Sequence, residues 1–104
     1  MIRGVLTRPA AATDIRDIST YLAGFSPRVA ELFEQELWHA VELLTTNPEI
    51  GAAIPGILPM MRFTRVSQRF RRYLIFYGQP DQETLEIVRI LHGARERSEL
   101  LRRG

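Results

Sequence analysis

The sequence predicts an α+β fold with element order β-α-α-β-β-β. Two stretches with helical spacing of apolar residues sit in the first half, joined only by Gly24-Phe25-Ser26. Two strand-like apolar runs, Tyr73–Tyr77 and Leu85–Leu91, sit in the second half around a polar turn. Helices and strands that segregate along the chain, rather than alternate, indicate α+β instead of a parallel α/β sheet.

Gly4–Thr7 is a short strand candidate, ended by Arg8-Pro9 because a residue before proline prefers extended geometry. Thr13 is the expected N-cap of the first helix, with Asp14 and Asp17 set against the positive end of its dipole. Ile15, Ile18 and Leu22 repeat at helical spacing, and Gly24 closes the element. Ser26-Pro27 restarts a helix, with serine as cap and proline in the first turn. Ala30, Phe33, Leu37, Val41 and Leu44 form its apolar stripe, flanked by Trp38. So short a connection folds the two helices into an antiparallel hairpin.

Residues 47–61, NPEIGAAIPGILPMM, link the hairpin to the strands. Three prolines exclude a regular helix or inner strand there. The linker is also too apolar to lie free in water, so it either packs over one end of the core or docks a partner. Met61–Val66 is the next strand, and Ser67–Phe70 a turn. Tyr73, Ile75 and Tyr77 face one side of the following strand and Leu74 and Phe76 the other, which makes it central and covered on both sides. Gly78, Pro80 and Asp81 supply turn chemistry. Strict alternation then places Leu85, Ile87 and Leu91 on one face and Val88 and Ile90 on the other. Arg89 falls on the Ile87/Leu91 face, where a charge is costly unless paired or near an edge. It is either half of an ion pair with a carboxylate of a covering helix or a guanidinium held at the rim of a binding surface. The last residues, ARERSELLRRG, make a short helix or a tail.

A chain of 104 residues suits one domain spanning 1–104. No run is long enough for a transmembrane helix and the N-terminus has no apolar signal core, so the expectation is a cytoplasmic protein with no membrane partner. The absence of cysteine excludes disulfides, thiolate catalysis and cysteine metal sites, and His39 and His92 do not form a metal motif. No glycine motif cradles a phosphate, so neither a metal nor a cofactor is expected.

The net charge of +2 is unevenly spread. Residues 1–61 carry four arginines against seven carboxylates, and residues 62–104 carry ten against five. The basic half points to phosphates or an acidic partner. All fourteen basic residues are arginine, consistent with a GC-rich genome, so no lysine is available as a base. Two constellations follow. Arg62, Arg65, Arg69, Arg71 and Arg72 interleave with Phe63, Phe70 and Tyr73, a pattern of guanidinium forks and stacking rings suited to nucleic acid. Arg89, His92 and Arg95 cluster at the end of the last strand, where His92 either bonds backbone or serves as acid or base in RNA cleavage.

The element order, Ser26-Pro27, Asn47-Pro48 with Gly51, the run Tyr73-Leu74-Ile75-Phe76-Tyr77 and above all Arg89-Ile90-Leu91-His92-Gly93-Ala94-Arg95 resemble the ParE branch of the RelE/ParE toxin superfamily, over almost the whole chain. The resemblance implies a helical hairpin packed on a small, mainly antiparallel sheet. It also implies the toxin of a type II toxin–antitoxin module, a class also described as plasmid stabilisation proteins. ParE-like members are non-nucleolytic inhibitors of DNA gyrase. RelE-like members cut messenger RNA on the ribosome with basic residues and a C-terminal tyrosine or a histidine set; here there is no lysine and no tyrosine after Tyr77. The target or phosphate contacts expected on this basis are Arg62, Arg69, Arg71, Arg72, Arg89 and Arg95. The implied antitoxin would present an acidic or amphipathic C-terminal segment, anchored on Phe33, Leu37, Trp38, Tyr73 and Phe76, in a toxin–antitoxin hetero-oligomer.

Overall fold

The computed structural model describes residues 1–54 and 61–93. Its elements are β1 (Gly4–Thr7), α1 (Pro9–Ala23), α2 (Pro27–Thr46), β2 (Ala52–Ala53), β3 (Arg62–Arg65), β4 (Tyr73–Asp81) and β5 (Thr84–His92). The strands form one sheet in the order β1-β5-β4-β3-β2. β1 runs parallel to β5, and every other described pairing is antiparallel. The α+β architecture is the expected one, with β2 an additional two-residue strand inside the proline-rich linker.

α1 begins one turn earlier than Thr13. Pro9, with its preset φ, occupies the first turn, and Arg8 is the N-cap without a side-chain hydrogen bond. Asp14 and Asp17 therefore lie beyond the first turn and are not dipole partners. Gly24 closes α1 in a right-handed conformation (φ −63°, ψ −25°), so it is not a left-handed cap. Ser26 caps α2 as expected, its Oγ accepting from the Val29 N–H at 3.4 Å. Ala30, Phe33, Leu37, Val41 and Leu44 are the buried stripe of α2.

The helices cover one face of the sheet. Phe33, Leu37 and Leu44 meet Ile75, Tyr77, Leu85, Ile87 and Ile90 there. Each such fully buried aliphatic or aromatic side chain contributes roughly 1.5–3 kcal/mol. Phe33 also packs edge-on against both Phe70 and Tyr73, with ring centroids 5.3 Å apart in each case. The opposite face buries Met61, Phe76, Val88 and Leu91, with Ile54, Phe63 and Leu74 alongside. β4 is thus central and buried on both faces, as its sequence requires.

Strict alternation fails in β5. Tyr77 pairs with Ile87 while Phe76 pairs with Arg89, so Val88 is an extra residue in a bulge. Beyond it the parity inverts: Ile90 joins Leu85 and Ile87 under the helices, and Leu91 joins Val88 on the other face. The expected turn also shifts. Gly78 and Pro80 lie within β4, at a second irregularity, and the reversal occurs after Asp81, whose Oδ1 accepts the Glu83 N–H at 2.8 Å.

Arg89 is half of an ion pair with a carboxylate of a covering helix. Its Nε and Nη2 donate to Asp14 Oδ2 and Oδ1 at 2.7 and 3.0 Å. Asp14 Oδ2 also accepts the Ile90 N–H at 3.0 Å. β1 pairs with β5 only as far as Ile87, so one carboxylate takes over the strand edge where β1 ends.

Candidate functional site

The turn from β3 to β4 and the end of β5 meet at one corner of the sheet. Ser67 Oγ accepts the Phe70 N–H at 3.1 Å, and the Tyr73 N–H donates to the Phe70 carbonyl at 3.1 Å. Tyr73 pairs with His92 across the strands, and the Gly93 N–H donates to the Arg72 carbonyl at 2.8 Å. Gly93 has φ 66°, which a residue without a Cβ adopts at little cost. Glu36 of α2 holds the turn from outside: Ser67 Oγ donates to its Oε1, and Arg69 Nε to its Oε2 at 3.0 Å. These bonds fix an open recess lined by Arg69, Arg71, Arg72, Tyr73 and His92.

The five-arginine cluster divides by partner. Arg62 Nη1 donates to the Gly51 carbonyl at 2.8 Å, tying the linker to β3. Arg69 belongs to Glu36. Arg65, Arg71 and Arg72 are exposed and make no ion pair or side-chain hydrogen bond among the described residues. Only Arg71 and Arg72 of these three line the recess. Arg89 is committed to Asp14 and does not line it. Arg95 lies outside the described residues. His92 is exposed, its ring edge-on to Tyr73 at 4.9 Å. Among the described residues no group of three or more His, Asp or Glu is arranged to hold a metal ion.

The apolar anchors divide too. Phe33, Leu37 and Phe76 are fully enclosed, so they are core residues and offer no docking face in this structure. Trp38 is exposed (43%) and Tyr73 half-buried. Among the described residues no helix is long and apolar enough to cross a membrane.

A second polar node escaped the sequence reading. The Tyr77 hydroxyl donates to the Pro48 carbonyl at 2.7 Å and accepts the Gly51 N–H at 2.9 Å, so a core tyrosine holds the start of the linker. Pro48 and Gly51 thus pack over one end of the core, while Ile50 stays exposed. Burial pushes the Tyr77 phenol above the ordinary tyrosine pKa, against the smaller opposing effects of the Gly51 N–H and the Arg62 charge. A folded-state value above the unfolded one gives stability that is complete below the unfolded pKa and is lost as pH rises through the folded one. Tyr77→Phe is therefore expected to cost about 1–3 kcal/mol at neutral pH, because two backbone groups lose their partner. It should also flatten the decline in stability on the alkaline side of the unfolded tyrosine pKa. Urea melts at neutral and alkaline pH check both effects.

A family model described as the ParE toxin of the type II toxin–antitoxin system, parDE, matches residues 5–97. Two curated relatives, each described as toxin ParE1, come from Mycobacterium tuberculosis strains CDC 1551 / Oshkosh and ATCC 25618 / H37Rv. Both are 33% identical over 63 residues, covering 61% of this chain and 60% of theirs. The match therefore spans less than two thirds of the relatives' length. A solved structure described as the chromosomal ParDE TA system from P. aeruginosa superposes with TM-score 0.70 at 20% identity, covering 89% of this chain and 98% of that one. At that identity the likeness is one of fold.

Proposed function

This chain belongs to the ParE toxin family of type II toxin–antitoxin systems, and from that premise we propose that it inhibits DNA gyrase and is neutralised by a cognate antitoxin. The observation that carries the reading is the family match over residues 5–97, which runs through both helices and past the end of β5. The geometry of the recess agrees with a toxin that grips. Arg71 and Arg72 face outward on a turn braced by Glu36, and guanidinium groups held on a rigid frame suit binding. The similar fold described as a chromosomal ParDE TA system supports an antitoxin partner here, with Trp38 and Tyr73 as the expected apolar anchors not enclosed in the core.

Purified protein should block supercoiling and accumulate cleaved DNA in a gyrase assay. Gyrase left indifferent, with ribosome-bound messenger RNA cut instead, would reverse the reading in favour of a RelE-like ribonuclease. One observation favours that alternative: His92 lines the same recess as Arg71 and Arg72, and an imidazole beside guanidinium groups suits acid–base work on a phosphodiester. His92→Ala separates the two. Inhibition by gripping survives it with at most a few-fold loss, whereas general acid–base catalysis falls by about 10²–10⁴-fold. Normal growth of cells expressing the folded protein alone would instead identify an inactive antitoxin-binding module.

A further inference from the structure

We propose that the rim formed by Arg71 and Arg72 beside the Tyr73–His92 ring pair binds the phosphodiester backbone of nucleic acid directly, so that this protein contacts the DNA held by its target as well as the target itself. The choice of DNA over RNA rests on the gyrase reading; the contact itself rests on the rim.

Three observations carry it. First, no carboxylate lies in the sequence between Arg62 and Asp81. Among the described residues, the acidic side chain brought to the turn from elsewhere, Glu36, is already shared between Ser67 and Arg69. The charges of Arg71 and Arg72 therefore stand uncompensated among the described residues. Second, the backbone beneath them is fixed. The Arg72 carbonyl accepts from the Gly93 N–H, and Ser67 and Phe70 close the turn, so little backbone ordering is required on binding. Third, the neighbouring groups are aromatic. Tyr73 and His92 meet edge-on, with the histidine ring exposed. A guanidinium pair beside an exposed ring is a combination that tracks a nucleic-acid strand, with arginine on phosphate and the His92 ring, backed by Tyr73, for a base. A purely acidic peptide such as polyglutamate would satisfy the arginines but make no use of the exposed His92 ring.

The test is fluorescence anisotropy with a short labelled DNA duplex, an RNA of the same sequence and a polyglutamate peptide, all without gyrase. Arg71→Ala/Arg72→Ala is compared with Arg16→Ala/Arg28→Ala, which removes the same charge from exposed helix positions; circular dichroism confirms that both fold. Wild-type protein should bind DNA, and loss of two phosphate contacts should lower the slope of log affinity against log salt by about 1.8. Over a fourfold rise in salt the wild type should thus weaken about tenfold more than the rim variant. The helix variant should keep the wild-type slope. Equal losses in both variants, or polyglutamate binding as tightly as DNA, would overturn the proposal. Binding to RNA but not DNA would keep the rim and overturn its assignment to DNA. Gyrase inhibition without nucleic-acid binding would overturn the proposal and leave the gyrase reading standing; binding without inhibition would do the reverse.

Discussion

Replacing Asp14 by alanine is expected to destabilise the fold by about 2–4 kcal/mol, below the full range for a deeply buried pair because some solvent reaches it. The Arg89 and Asp14 side chains are 26% and 14% exposed, so the guanidinium left behind is largely desolvated. The substitution removes three hydrogen bonds at once, two from Arg89 and one from the Ile90 N–H. That amide lies beyond the end of the β1–β5 pairing, so no neighbouring strand recovers it. The two roles separate experimentally. A pure ion pair replaced on both sides by apolar residues is often neutral or stabilising. Asp14→Leu/Arg89→Met should recover only part of the loss, because the Ile90 amide stays unpartnered. Asp14→Asn, which keeps an acceptor for that amide, should cost less than alanine. Urea denaturation at constant m-value measures all three. An alanine variant within about 0.5 kcal/mol of wild type would show that the pair is a surface contact of no consequence.

Arg89 also marks how far the sequence could be read. A charge in the apolar run Leu85–Leu91 demands a partner, and a helix carboxylate was a natural one. Which carboxylate was hidden, because Pro9 starts α1 a turn earlier and moves Asp14 from dipole partner to strand cap. The bulge at Val88 left no trace, since a run apolar on both faces carries no parity signal. The helical stripe and the two-sided burial of β4 were legible for the opposite reason: period and composition agreed there. At the candidate site, basicity was plain but availability was not. Arg69 is held by Glu36, 33 residues away, and Arg62 by a carbonyl of the linker, and neither pairing has a local signature. The expectation that Phe33, Leu37 and Phe76 anchor an antitoxin met the same limit. A stripe residue and a docking residue look alike in sequence until the sheet covers one of them.

Gly51→Ala should be the more disruptive of the two substitutions for its size, costing about 3 kcal/mol, at the upper end for overpacking. A Cβ built there would lie 2.5 Å from the Tyr77 hydroxyl, 2.8 Å from its ring and 2.7 Å from the Phe63 carbonyl oxygen. The glycine is required by close approach. The Tyr77 side chain cannot swing aside cheaply, because it is buried and its hydroxyl holds Pro48 and Gly51 together. The Phe63 carbonyl is part of β3, where that strand pairs with β2 and β4, so it cannot yield without disturbing both pairings. The clash therefore spreads into the Arg62–Gly51 bond and loosens the linker along with the sheet edge. At about 4–8 °C per kcal/mol for a domain near this size, the melting temperature should fall by roughly 12–24 °C. Coupling to Tyr77 gives the sharper test. In a Tyr77→Phe background the hydroxyl contact is gone but the ring and Phe63 contacts remain, so Gly51→Ala should cost less there than in wild type, though more than zero. Strict additivity would mean that the linker already moves away from Tyr77 in solution, and that the tyrosine does not hold it.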